Sequence, residues 1–158
     1  MSYLGANVSQ AERAELATLL PPAQLALFLG MPRADQRHGL DVAAALRRAG
    51  YGDDRELIVA GILHDVGKGR SVRLWHRVAW SLGQRYGRWL VAAASVVPGA
   101  RQVFVRLERH PRTSAELVRS VGAPARTVAL IAQQADPRDP AARALHLADE
   151  GELDEAAP

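Results

Sequence analysis

Residues able to hold a cation occur at three well-separated places in this chain: His38, the doublet His64-Asp65, and Asp149. Neutral imidazole nitrogens and carboxylate oxygens suit borderline divalent ions such as Mn, Fe, Co, Ni or Zn. A set of two histidines and two aspartates also leaves coordination positions open to water or substrate. An ion held this way lowers the pKa of water far enough to make a nucleophile near neutral pH, and it polarises a phosphoryl oxygen. The chain contains no cysteine, so thiolate ligands and disulfides play no part. Taken singly, each of the four is best explained as a satisfied polar residue of a core; taken as an ordered set, they point to one metal site.

Such a site needs elements that bring distant positions together, and the patterning supplies helices. Ala, Leu, Arg and Glu dominate, β-branched residues are scattered, and aromatics make up 5% of the chain. Ser9 and Glu12 have the spacing of a capping box, which predicts a first helix over residues 10–20, stopped by Pro21-Pro22. A short apolar helix over 23–31 follows, then a longer one over 34–49 that carries His38 and ends at Gly50. Asp53 and Asp54 cap an apolar helix over 56–65, which places His64 and Asp65 in its last turn before Gly67 and Gly69. Val72 to Leu90 has amphipathic helical spacing, and a further helix or pair of helices is expected over 90–109. Thr113 and Glu116 give a second capping-box spacing, which predicts a new helix over 114–121; another covers 125–134, and a last one from about 141 carries Asp149.

The expectation is therefore an all-α, single-domain helical bundle. Residues 1–33 form an N-terminal helical extension packed on a domain of residues 34–151, and residues 152–158 form an acidic, disordered tail. At 158 residues and 48% apolar, the chain can build one continuous core. The start, MSYLGANVSQAERAEL, lacks the basic and apolar regions of a secretory signal, which predicts a cytoplasmic protein. The longest apolar stretch, Trp89 to Ala100, falls short of the roughly 20 residues that span a bilayer, so no transmembrane segment is expected.

Charge is unevenly spread. The net charge is +3, yet Val66 to Leu107 contains no Asp or Glu and carries eight of the basic residues: Lys68, Arg70, Arg73, Arg77, Arg85, Arg88, Arg101 and Arg106. No nucleic-acid-reading motif accompanies this charge, which argues against nucleic acid as a partner. The tryptophans of the segment, at helical spacing, read first as core, and Arg70 and Arg73 read second as phosphate-steering groups. Lys68 is the single lysine in a chain with 20 Lys and Arg in all.

Three stretches, DQRHGLDVAAAL at Asp35 to Leu46, AGILHDVGKG at Ala60 to Gly69 and ALHLADE at Ala144 to Glu150, resemble the successive signatures of the HD-domain phosphohydrolases. The resemblance runs from about Asp35 to Glu150, and HDVGK is its most specific piece. It implies a helical domain of the HD type and one divalent transition metal on His38, His64, Asp65 and Asp149. It also implies hydrolysis of a phosphate ester or anhydride, with nucleotides as the substrate class. Lys68 falls where the family uses a lysine to meet a substrate phosphate as a compact point charge. His110, before Pro111, resembles the first of two further histidines found in members that bind two metals. Where the second would stand, this chain has Gln133 and Gln134, which are poor ligands, so one metal is expected, with His110 turned toward substrate or solvent.

The leading expectation is a phosphohydrolase that uses a metal-activated water, with Asp65 holding the metal and orienting or deprotonating that water, and Lys68 neutralising the phosphate. Arg70, Arg73 and His110 would assist substrate binding. The alternative is a catalytically weak HD module that binds a phosphorylated ligand and signals through a partner. A third reading is an architectural or membrane-peripheral helical protein built on the Arg- and Trp-rich segment.

Overall fold

The computed structural model describes residues 8–68 and 100–153, with the backbone alone described for residues 100–109. Among the described residues the fold is all-α, with seven α-helices and no strand. They are α1 (Gln10–Leu19), α2 (Pro22–Gly30), α3 (Arg33–Leu46), α4 (Arg55–Leu63), α5 (Ala100–Ser120), α6 (Ala125–Ala132) and α7 (Pro140–Glu150).

Local chemistry accounts for most of the boundaries. The Ser9 hydroxyl accepts from the Glu12 N–H while the Glu12 carboxylate accepts from the Ser9 N–H, which closes the capping box of α1. Pro22 and Pro140 occupy first-turn positions of α2 and α7, where a missing N–H costs nothing. Asp54 caps α4 by accepting from the Leu57 N–H, and Asp139 caps α7 through the Ala142 N–H. α7 ends at Gly151, whose φ of 74° is the left-handed conformation that favours glycine. The helix expected over 34–49 is α-helical only to Leu46; a wider π-type turn, Arg47–Tyr51, carries the chain on, with Gly50 at φ 87°.

One expectation is corrected. The Thr113–Glu116 spacing does not begin a helix, because α5 runs unbroken from Ala100 to Ser120 with Pro111 inside it. Proline removes one helical hydrogen bond and disfavours helical geometry before it. Here α5 packs along the 3-10 turn Val66–Lys68, and that tertiary contact overrides the local break.

α4 is the axis of the assembly. Every residue from Leu57 to Leu63 is buried, as expected for a helix apolar on all sides, and α3, α6 and α7 pack around it. Leu16, Leu20, Phe28 and Met31 from the first 33 residues share one apolar cluster with Leu46, Leu57, Ile62, Ile131 and Leu145. At the other end, the Glu152 N–H donates to Leu147 O and Leu153 packs against the same cluster. The expected helix over 72–90, with its tryptophans, lies outside the described residues. No helix among the described residues is long and apolar enough to cross a membrane.

Candidate metal centre

Two glycines let the histidine-bearing backbones approach. A Cβ on Gly39 of α3 would stand 2.5 Å from the carbonyl oxygen of Ile62 on α4, and one on Gly61 would press on Leu46 and Val42. At Gly39, where the neighbour is backbone, only glycine fits such a crossing. His38 and His64 are their near neighbours in sequence, and the two rings meet edge to face with centroids 5.3 Å apart.

His64 and Asp65 do not lie within the helix as the sequence suggested. α4 ends at Leu63, His64 caps it, and the chain tightens into the 3-10 turn, with the Lys68 N–H donating to Asp65 O. That turn is fixed from α5. The Gly67 N–H donates to the buried Ser114 hydroxyl at 2.9 Å, and a Cβ on Gly67 would collide with the Ser114 backbone nitrogen at 2.6 Å. The same contact brings His110 of α5 to the site.

The functional atoms then converge. Nε2 of His38 lies 2.7 Å from Oδ1 of Asp149, and Nε2 of His64 lies 3.2 Å from that same oxygen. His64 Nε2 is also 3.2 Å from Oδ1 of Asp65, and His110 Nε2 is 3.6 Å from it. One donor atom each of His38, His64 and Asp65 falls within 4.8 Å of the others. Asp149 joins this group through its contacts with both imidazoles. The Nδ1–H of His64 donates to the Gly61 carbonyl at 2.8 Å, which fixes the ring with Nε2 facing the two carboxylates. Lys68 Nζ reaches the other oxygen of Asp65, Oδ2, at 2.6 Å.

The electrostatics follow from burial of opposite charges. The His64 and Asp65 side chains have no exposed surface, and that of Asp149 is 17% exposed. Burial alone would suppress the His64 cation, but the carboxylates of Asp65 and Asp149 outweigh it and raise the ring to about 9. Burial also penalises the Asp65 anion; His64 and Lys68 outweigh that and hold its carboxyl at about 2. Asp149 is likewise held far below the usual carboxylate range, where the His64 charge and hydrogen bonds from both imidazoles overcome desolvation.

A divalent cation fits this donor set. Oδ1 of Asp65 is buried and makes no hydrogen bond among the described residues, although two imidazole nitrogens stand near it. An orphaned carboxylate oxygen in the interior is costly, and a cation shared with the imidazoles would satisfy it.

Of the residues singled out from sequence, His38, His64, Asp65, Lys68, His110 and Asp149 are brought together; Arg70 and Arg73 lie outside the described residues. Two contacts had no signal in the motifs. Ser114 was read only as the start of a helix, and Gln134 only as a missing histidine. In the structure the Gln134 amide donates to Oδ2 of Asp149 at 2.6 Å. Comparison with protein-family models, curated proteins and solved structures finds no match to this chain.

Proposed function

We propose that this chain is a metal-dependent phosphohydrolase of the HD-domain type, acting on a phosphate ester or anhydride of a nucleotide. The observation that carries the reading is the meeting of His38, His64, Asp65 and Asp149, drawn from three parts of the chain, beside a half-buried lysine. His38, His64, Asp65 and Asp149 would hold one divalent ion such as Mn, Fe, Co, Ni or Zn. When bound, that ion supplies Lewis acidity toward water and toward a phosphoryl oxygen.

The protein's own groups supply the rest. Asp65 turns Oδ1 toward the imidazoles and Oδ2 toward Lys68, so one carboxylate links the metal ligands to the cation that meets phosphate. Its depressed pKa keeps it an anion at neutral pH, which suits it to hold the ion and to orient water. Lys68 is the point charge for the phosphate. His110, at the inner edge of the cluster with a side chain 14% exposed, stands close enough to Asp65 to contact a substrate bound there. Arg70 and Arg73 are proposed as steering charges.

Turnover of a panel of nucleotides and generic phosphate esters by Mn- or Co-loaded protein tests the reading. Release of inorganic phosphate or nucleoside that disappears in Asp65→Ala is the expected result. No turnover by either protein sinks the hydrolase; saturable nucleotide binding without hydrolysis would instead assign a ligand-binding HD module.

A further inference from the structure

We infer that Gln134 is a positioning residue that makes Asp149 a one-oxygen metal ligand: its amide holds Oδ2, so that Oδ1 alone is presented to His38 and His64. The inference rests on the metal site proposed above. It concerns a residue that the motif pattern marks only as a departure.

The two oxygens of Asp149 have different surroundings. Oδ1 faces both imidazoles, at 2.7 and 3.2 Å, while Oδ2 accepts from Gln134 Nε2 at 2.6 Å. The orientation of the amide follows from chemistry. A carboxylate set against two imidazoles acts as an acceptor, so the NH2 end of the amide faces it. The other end, Oε1, is then buried and without a hydrogen-bond partner among the described residues. Gln134 itself is 4% exposed. A glutamine serving only the fold would be expected to satisfy both ends of its amide; this one leaves one end unbonded and commits the other to Asp149.

Its neighbour is an internal comparison. The Gln133 side-chain oxygen accepts from the Arg138 N–H at an exposed loop, whereas Gln134, one residue on, reaches the site from just past the end of α6. A carboxylate with both oxygens available can chelate one metal or bridge two. With Oδ2 engaged, Asp149 offers a single point of attachment, and the ring of donors stays that of one ion.

Cobalt(II) alone serves as the probe, titrated into the unaltered protein, Gln134→Met, which keeps the volume and removes the donor, and Gln133→Met. The expected result is a 10- to 100-fold weaker cobalt affinity in Gln134→Met, the range for loss of an outer hydrogen-bond partner. The visible cobalt spectrum should change with it, as Asp149 gains a second coordinating oxygen, and Gln133→Met should match the unaltered protein in both. If Gln134→Met binds as tightly and gives the same spectrum, the inference is overturned and the metal site stands. If the unaltered protein binds no cobalt, the metal site itself fails and takes the inference with it. A metal-loaded crystal structure of the unaltered protein reads the same point should the variant not fold: one Asp149 oxygen on the ion supports the inference, two overturn it.

Discussion

Nε2 of His38 and Oδ1 of Asp149 stand 2.7 Å apart although 111 residues separate them. The contact joins α3 to α7 across the end of α4, and it is the longest sequence span closed within the cluster. If the two side chains are ligands of one ion, removing either opens the coordination set. His38→Ala is expected to weaken Mn or Co binding by more than the roughly 10–100-fold that follows loss of an outer-shell partner. Calorimetric titration measures it. Metal at about 100 times its Kd should also stabilise the unaltered protein by about 2.7 kcal/mol, reversed by a chelator, and a variant that keeps this shift would argue against the site.

Metal loading should release a proton. Without metal, the folded protein keeps His64 protonated up to about 9, because two carboxylates outweigh the cost of burying the charge. A metal ion needs the bare nitrogen. Below about 9 each unit of falling pH should therefore cost about tenfold in affinity through this group. Titration at neutral pH in buffers of different ionisation enthalpy counts the proton; a count of zero would contradict the arrangement.

The α3–α4 crossing should tolerate no side chain. In Gly39→Ala the new Cβ meets the Ile62 carbonyl, a backbone atom that cannot turn aside, so the helices must part. Overpacking of this kind costs about 1–3 kcal/mol, and separating His38 from His64 should weaken metal binding as well. Gly30→Ala at the end of α2, where a Cβ meets nothing within 4 Å, is the control and should be neutral or slightly stabilising in urea unfolding.

Acid should expose the capping box of α1. The Ser9 N–H and then Arg37 hold the Glu12 carboxyl at about 2, below its ordinary 4.5. A depressed folded-state value means that the stabilisation is fully present above about 4.5 and is lost as pH falls through about 2. The stability difference between the unaltered protein and Glu12→Gln should shrink across that window. Ser9→Ala should cost roughly 1 kcal/mol at neutral pH, measured by the shift of the urea midpoint.

The helical fold and most helix starts were legible in the sequence, because they are set by local chemistry: the Ser9–Glu12 box, the break at Pro21-Pro22 and Asp54 as a cap. The exceptions are informative. Thr113 and Glu116 carry the local signature of a helix start, yet α5 runs through them, because a contact with a turn 47 residues upstream is worth more than the break at Pro111. The end of α4 falls two residues earlier than expected for a related reason: Ser114 of α5 pins the turn at Gly67, and His64 and Asp65 leave the helix to enter it.

By itself, then, the amino-acid order determined the helical character of the described residues and named the imidazoles and carboxylates that come together, since residue type and short-range spacing carry that information. Tertiary structure alone decided which atoms face one another: that Gly39 and Gly61 let two helices close, that Ser114 pins the Gly67 turn, and that Gln134 takes one oxygen of Asp149 and leaves the other to the histidines. Those relationships depend on the packing of helices distant in sequence, where fractions of an ångström set by buried neighbours fix the direction of each polar atom.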